Sequence, residues 1–157
     1  MLPIRKILHP TDFSPHSQHA WRLACALARD YSVPLVLLHV HSPFVAYGDG
    51  LVATVPPDYT EELRARLRQI DPHDPRIVVE RRLIEGDPVL EILRIARESK
   101  CDLIVMGTHG RTGFGRLLMG SVAEEVLRKA PCPVLTVKVP AKVVAEMVAD
   151  EAVIASH

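Results

Sequence analysis

Three glycines and a hydroxyl stand at fixed offsets in the C-terminal half of the chain. They are Gly107, Gly110, Gly120 and Ser121, in the pattern G-x2-G-x9-G-S. The apolar run Cys101–Met106 precedes them and reads as a buried parallel strand. Val122–Ala130 follows and reads as a helix. The glycines therefore lie between a strand's carboxyl end and a helix's amino end, where open α/β sheets place their ligands. Gly107 and Gly110 can take positive φ and let backbone approach a ligand closely. The amides of Gly120, Ser121 and Val122 are expected to point outward from a first helical turn without partners. Free amides and the helix dipole together favour an anion, above all a phosphate. Arg111 and Arg116 add positive charge from the loop. Ser121 and Glu124 also fit an S-x-x-E capping box, so the Ser121 hydroxyl has a second reading as a helix cap. The two are compatible, because a ligand can use the backbone amide.

Two other phosphate motifs do not fit. No lysine follows Gly120, as a P-loop requires, and Gly113-Phe114-Gly115 lacks the next glycine of a dinucleotide fingerprint.

The elements that must hold this stretch alternate along the chain. Ile4–His9 reads as a first strand, and Ser14-Pro15 as the N-cap and first position of a helix. Ala20, Leu23, Ala24, Leu27 and Ala28 form that helix's apolar stripe, which ends near Tyr31-Ser32. Leu35–Val40 is a second buried strand. Pro43, Gly48, Gly50, Pro56 and Pro57 break all periodicity across 41–57, which predicts a mobile surface loop. Asp58–Ile70 reads as a helix and Arg76–Ile84 as a third strand. Asp87 and Pro88 open the next helix, with Val89, Ile92, Leu93 and Ala96 inward. The fourth strand, the glycine loop and its helix follow, and Val134–Val139 is a fifth strand.

This β-α-β-α-β-α-β-α-β order predicts a three-layer, doubly wound α/β fold with a five-stranded parallel sheet in the order 3-2-1-4-5. In that order the first and fourth strands are neighbours. Pro10-Thr11-Asp12 then faces the glycine loop across one crevice, with Val40 at the adjoining side. A phosphate cradle, an acidic residue and an apolar shelf around one crevice suit a nucleotide. Val40 and Met106 can line a base. Asp12 can accept hydrogen bonds from base or ribose, hold magnesium through water, or simply close an Asx turn before the helix.

With 157 residues the chain suits one domain with a real core, residues 1–139, followed by an extension over 140–157. The extension is amphipathic, with Val143, Val144, Met147, Val148 and Ile154 on one side. Nineteen basic and nineteen acidic residues balance, which argues against nucleic acid or an anionic membrane as partner. No run is apolar enough for a membrane span, and the N-terminus lacks the pattern of a signal peptide. Cys25, Cys101 and Cys132 are odd in number and widely spaced, so they read as reduced, buried thiols of a cytoplasmic protein. His16 with His19, and His39 with His41, have metal-ligand spacing, but no third ligand is evident.

The chain resembles the ATP-binding branch of the universal stress protein family from about Ile4 to Val139. The resemblance is carried by Pro10-Thr11-Asp12-Phe13-Ser14, Gly86-Asp87-Pro88, Met106-Gly107-Thr108-His109-Gly110-Arg111 and the G-x2-G-x9-G-[ST] signature. It implies an adenine nucleotide alpha hydrolase-like fold and ATP, with Mg, as ligand. It also implies nucleotide contacts at Pro10, Thr11, Asp12, Val40, Met106, Gly107, His109, Gly110, Arg111, Gly120, Ser121 and Val122. It further implies a homodimer joined through Val134–Val139, which the extension would cover or extend, and a role in stress survival. The motif speaks for binding rather than catalysis, because neither a P-loop lysine nor a base to orient water is evident. At most slow ATP hydrolysis is expected. The alternatives are a phosphoryl- or adenylyl-transfer enzyme on the same fold, disfavoured by the absence of glycine after the first strand, and an interaction module with incidental nucleotide.

Overall fold

A computed structural model describes residues 3–46, 50, 52–54, 56–109 and 119–155. At its centre are three strands with few polar residues: β1 (Ile7–Pro10), β2 (Leu35–His41) and β6 (Leu103–Gly107). β5 (Val79–Glu85) and β7 (Val134–Val137) flank them, giving a parallel sheet in the order β5-β2-β1-β6-β7. Counted among these five strands in chain order, that is 3-2-1-4-5, as the alternation of elements predicts. In register, Ile7 lies opposite Leu35 on one side and Leu103 on the other.

Side chains alternate between faces along a strand, so these strands build two cores. Leu8, Val36, Leu38, Ile104 and Met106 face one way and pack with α3 (Pro88–Glu98) and α4 (Ser121–Lys129). Ile7, Leu35, Leu37, Leu103 and Val105 face the other, against α1 (Pro15–Tyr31) and α2 (Pro57–Gln69). Burial on both faces explains why the central strands read as unbroken apolar runs.

Local signals placed the helix starts well. The Ser14 hydroxyl caps α1 by accepting from the Ser17 N–H, and Pro15 occupies the first turn. Asp87 caps α3 through the Leu90 N–H at 2.9 Å, followed by Pro88. The buried stripe of α1 is rotated from the expected one. Trp21 and Cys25 are buried beside Ala20, Ala24 and Ala28, while Leu23 faces solvent. The indole sits between the sheet and the chain after α2, donating from Nε1 to the Asp71 carbonyl. That contact turns the helix so that Trp21 takes the inward place that periodicity gave to Leu23, while the alanines of the stripe stay buried.

The segment expected as a structureless loop contains an antiparallel pair, β3 (Phe44–Ala46) and β4 (Val52–Thr54), with Val45 opposite Ala53. Its strands are too short for periodicity to show. After β7, the chain forms α5 (Ala141–Ala155), which touches α1. Val143 is half-buried and Val153 exposed; the side chains of Val144, Met147, Val148 and Ile154 lie outside what the structure describes. No helix among the described residues is long and apolar enough to cross a membrane.

Candidate nucleotide site

At the carboxyl ends of β1, β2 and β6 a cavity of about 310 Å³ opens between the sheet and the starts of three helices. Ten of the predicted site residues line it: Pro10, Thr11, Asp12, Val40, Met106, Gly107, His109, Gly120, Ser121 and Val122. Gly110 and Arg111, with Arg116, lie outside the described residues. Leu38, Ile92, Pro88, Thr108, Ser17 and Ala123 also line it and escaped the sequence reading. Two of these had a signal. Leu38 lies two residues before Val40 and so shares its face, and Ile92 lies one turn beyond Pro88 on the buried stripe of α3. The resulting floor, Leu38, Val40, Ile92 and Met106, is aliphatic and suits the face of a planar ring.

The first wall is the turn after β1, and it satisfies itself. The Thr11 N–H donates to the Leu38 carbonyl at 2.8 Å, so β2 fixes where the strand ends. Thr11 Oγ1 accepts from the Phe13 N–H and lies 3.0 Å from Ser17 Oγ, which donates to the Ser14 carbonyl. Asp12 Oδ1 accepts from the Ser14 N–H at 2.9 Å, so the Asx turn does form, with Asp12 still at the cavity wall. These bonds hold Phe13 at φ +63°, a left-handed conformation that costs a bulky residue roughly 1–2 kcal/mol.

The opposite wall is built differently. Gly120, not Ser121, is the N-cap of α4, at φ −73° and ψ 158°. Its N–H donates to the Thr108 carbonyl at 2.6 Å, which pins it extended, and the helix starts at Ser121, the predicted cap itself. The capping box therefore does not form: Ser121 is already helical, and no side chain caps α4. The first amide used inside the helix is that of Glu124, which donates to Gly120. The N–H groups of Ser121, Val122 and Ala123 have no acceptor among the described residues, and all three residues line the cavity. Amides left this way, at the positive end of a helix dipole, call for an anion.

Gly107 lines the cavity for a reason unlike the expected one. Its φ is not positive. A Cβ there would lie 3.1 Å from the backbone carbon and oxygen of His16, so the missing side chain lets the first turn of α1 sit against β6. The His16 ring lies 5.4 Å from that of His109, whose Nδ1 is 3.0 Å from Thr108 Oγ1. Burial, then the neighbouring His109, lowers the His16 pKa below its ordinary value.

Two more imidazoles lie beneath the first wall. His9 is fully buried, with Nδ1 2.8 Å from the Val105 carbonyl. A carbonyl only accepts, so Nδ1 carries the proton and Nε2 the lone pair. Nε2 has no hydrogen-bond partner among the described residues, and burial pushes the pKa down to about 4. His39 Nδ1 donates in the same way to the Thr11 carbonyl at 2.7 Å. The histidine pairs singled out for metal spacing find other uses: His39 is tied to Thr11 and His41 Nδ1 to the Ser42 carbonyl at 3.3 Å. Among the described residues no three histidine, cysteine or acidic side chains come together as a metal site. The thiols of Cys25, Cys101 and Cys132 are free and raised in pKa by burial, Cys25 to about 12 and Cys101 to about 11.

A parallel sheet in this order has known counterparts. The universal stress protein family profile matches residues 3–138. The chain belongs to the universal stress protein family. The Universal stress protein MJ0531 of Methanocaldococcus jannaschii is 37% identical over 143 residues, 88% of this chain and 84% of its own. Among solved structures, MJ0577 superimposes with a TM-score of 0.73 at 29% identity, covering 88% of this chain and 98% of that one. A universal stress protein in complex with cAMP superimposes with a TM-score of 0.65 at 25% identity, covering 86% and 97%.

Proposed function

We propose that this universal stress protein binds ATP in the cavity between β1 and β6 and serves as a regulatory module in a stress response, with at most slow hydrolysis. The observation that carries the reading is the uncapped start of α4. Three amides without an acceptor among the described residues line the same cavity as an aliphatic slot, and together they match the two ends of a nucleotide. The adenine lies on Leu38, Val40, Ile92 and Met106. The phosphates lie on the Ser121–Ala123 amides and the Ser121 hydroxyl, with Gly110 and Arg111 as the further contacts that the family resemblance implies. Asp12 meets the ribose or base, or a magnesium ion through water. The cAMP complex of a similar protein supports an adenine nucleotide as the ligand class. A regulatory role fits a phosphate cradle without a P-loop lysine. Residues 1–139 form the nucleotide domain, and the protein works in the cytoplasm. It pairs as a homodimer through the open edge of β7, with the extension over 140–157 alongside.

Isothermal titration with ATP and magnesium tests the reading. Saturable binding that adenosine matches only weakly is the expected result, because the phosphates supply the anion that α4 lacks. A flat titration, with no adenine nucleotide in the mass spectrum of small molecules released by heat, defeats it. Mass measurement in solution, with and without residues 141–157, tests the dimer.

A further inference from the structure

Phe13 does not line the cavity, yet it holds the least favourable backbone of the turn that does, with φ at +63°. Side chains from two other elements meet its ring. The guanidinium carbon of Arg66, on α2, lies 4.2 Å from the ring centroid. The His39 ring, on β2, lies 4.4 Å away at 45°, while its Nδ1 donates to the carbonyl of Thr11. Arg66 had another option. Glu62 stands one turn earlier on the same helix, at ion-pair spacing, but Arg66 forms no ion pair among the described residues. A half-buried guanidinium over an aromatic face is a favourable cation–π contact, comparable in size to the strain of the left-handed turn beneath it.

We propose that Arg66 is a positioning residue for the bound nucleotide: by gripping Phe13 it holds Thr11 and Asp12 at the cavity wall. Helix α2, which contributes no residue to the cavity, thereby sets the affinity of the site. The inference rests on the nucleotide reading and adds that the β1–α1 turn is held from behind as well as by its own hydrogen bonds. Release of Arg66 leaves the turn free to relax its φ, moving Asp12 relative to the fixed amides of α4. Affinity then falls although no contact to the ligand has been removed.

The test is titration of ATP with magnesium into Arg66→Ala, Arg66→Lys and Arg66→Gln, beside ligand-free melting curves. Arg66→Ala and Arg66→Gln are expected to weaken ATP roughly fivefold, with Arg66→Lys restoring most of the loss, because an ammonium keeps the cation–π contact. Affinity unchanged in Arg66→Ala, or a lysine variant as weak as the alanine variant, overturns the inference while leaving the nucleotide reading intact. Phe13→Gly is the second variant. Glycine adopts φ +63° without strain, so the chain folds but loses the ring that Arg66 grips; in that background Arg66→Ala has no further effect on ATP affinity, and a further loss of roughly fivefold there overturns the inference. Should the unmutated protein bind no ATP, the nucleotide reading falls. The amide proton signals of Thr11 and Asp12 then decide the grip: shifted in Arg66→Ala they sustain it, unshifted they remove it.

Discussion

The two walls of the cavity solve the same local problem in opposite ways. After β1 the chain turns into α1 with its polar groups spoken for: Thr11, Asp12, Ser14 and Ser17 bond one another and the backbone. After β6 the chain enters α4 with no side-chain cap and three amides unused among the described residues. The third helix at the cavity, α3, follows the first pattern, because Asp87 caps it. A helix start that supplies its own oxygen is rigid and asks nothing of a ligand. One that withholds it is incomplete until an anion arrives, and the missing hydrogen bonds become binding energy. On the proposed function, recognition is thus divided: a pre-formed wall for the nucleoside and an unfilled one for phosphate.

Acid should break the pre-formed wall with the largest effect. His9 lies beneath it, neutral when folded, with a pKa of about 4 against an ordinary 6.5. The unfolded chain therefore binds the proton first. This contribution to stability is complete above pH 6.5 and is lost progressively as pH falls to 4. The difference corresponds to about 3 kcal/mol. Urea midpoints from pH 7.5 to 4 should show the decline, and His9→Gln should flatten it. A variant with the parent's slope would assign the loss to other groups.

Giving α4 the cap that its neighbours possess sharpens the comparison directly. Gly120→Asp suits the backbone at φ −73° and should let the carboxylate accept from the first-turn amides. Unliganded stability should rise by about 1 kcal/mol. ATP should weaken about a hundredfold, since roughly two charge-assisted hydrogen bonds are withdrawn. A variant that is stabilised yet binds ATP as before would show that the phosphates do not rest on α4.

The smallest effect belongs to removing a cap that already exists. Ser14→Ala deprives the Ser17 N–H of its acceptor and should cost about 1 kcal/mol in thermal or urea unfolding. It should not create a second anion site, because Pro15 removes one amide from that turn and Ser17 Oγ still fills the space with its bonds to Thr11 and Ser14. Tighter phosphate binding in this variant would contradict the division of roles.

Much of this architecture was legible one residue at a time. Capping chemistry acts over three or four residues, so Ser14-Pro15 and Asp87-Pro88 announced their helices. Strands buried on both faces show as apolar runs, so β1, β2 and β6 were visible, and with them the crevice between β1 and β6. Ten of the residues that the family resemblance named line that crevice. The misreadings arose where distant segments compete. Ser121 resembled a cap until the Thr108 carbonyl, thirteen residues back in sequence, took the Gly120 N–H and moved the helix start. Leu23 belonged to the better stripe of α1 until Trp21 found the chain after α2. Gly107 was expected to use positive φ, but its φ is not positive, and a Cβ there would meet His16 on another element.

What the chain's order of residues determined alone was therefore the strands of the main sheet and the helices between them, their sequence along the sheet and the location of the crevice, because periodicity and caps are short-range and the handedness of crossovers leaves few arrangements. Only the folded molecule decided that the α4 start at the cavity would lack a side-chain cap, that the His9 imidazole would be fully buried against the Val105 carbonyl, and that Arg66 would meet Phe13. Those outcomes depend on contacts between segments far apart in the chain, whose geometry exists only once the sheet has assembled.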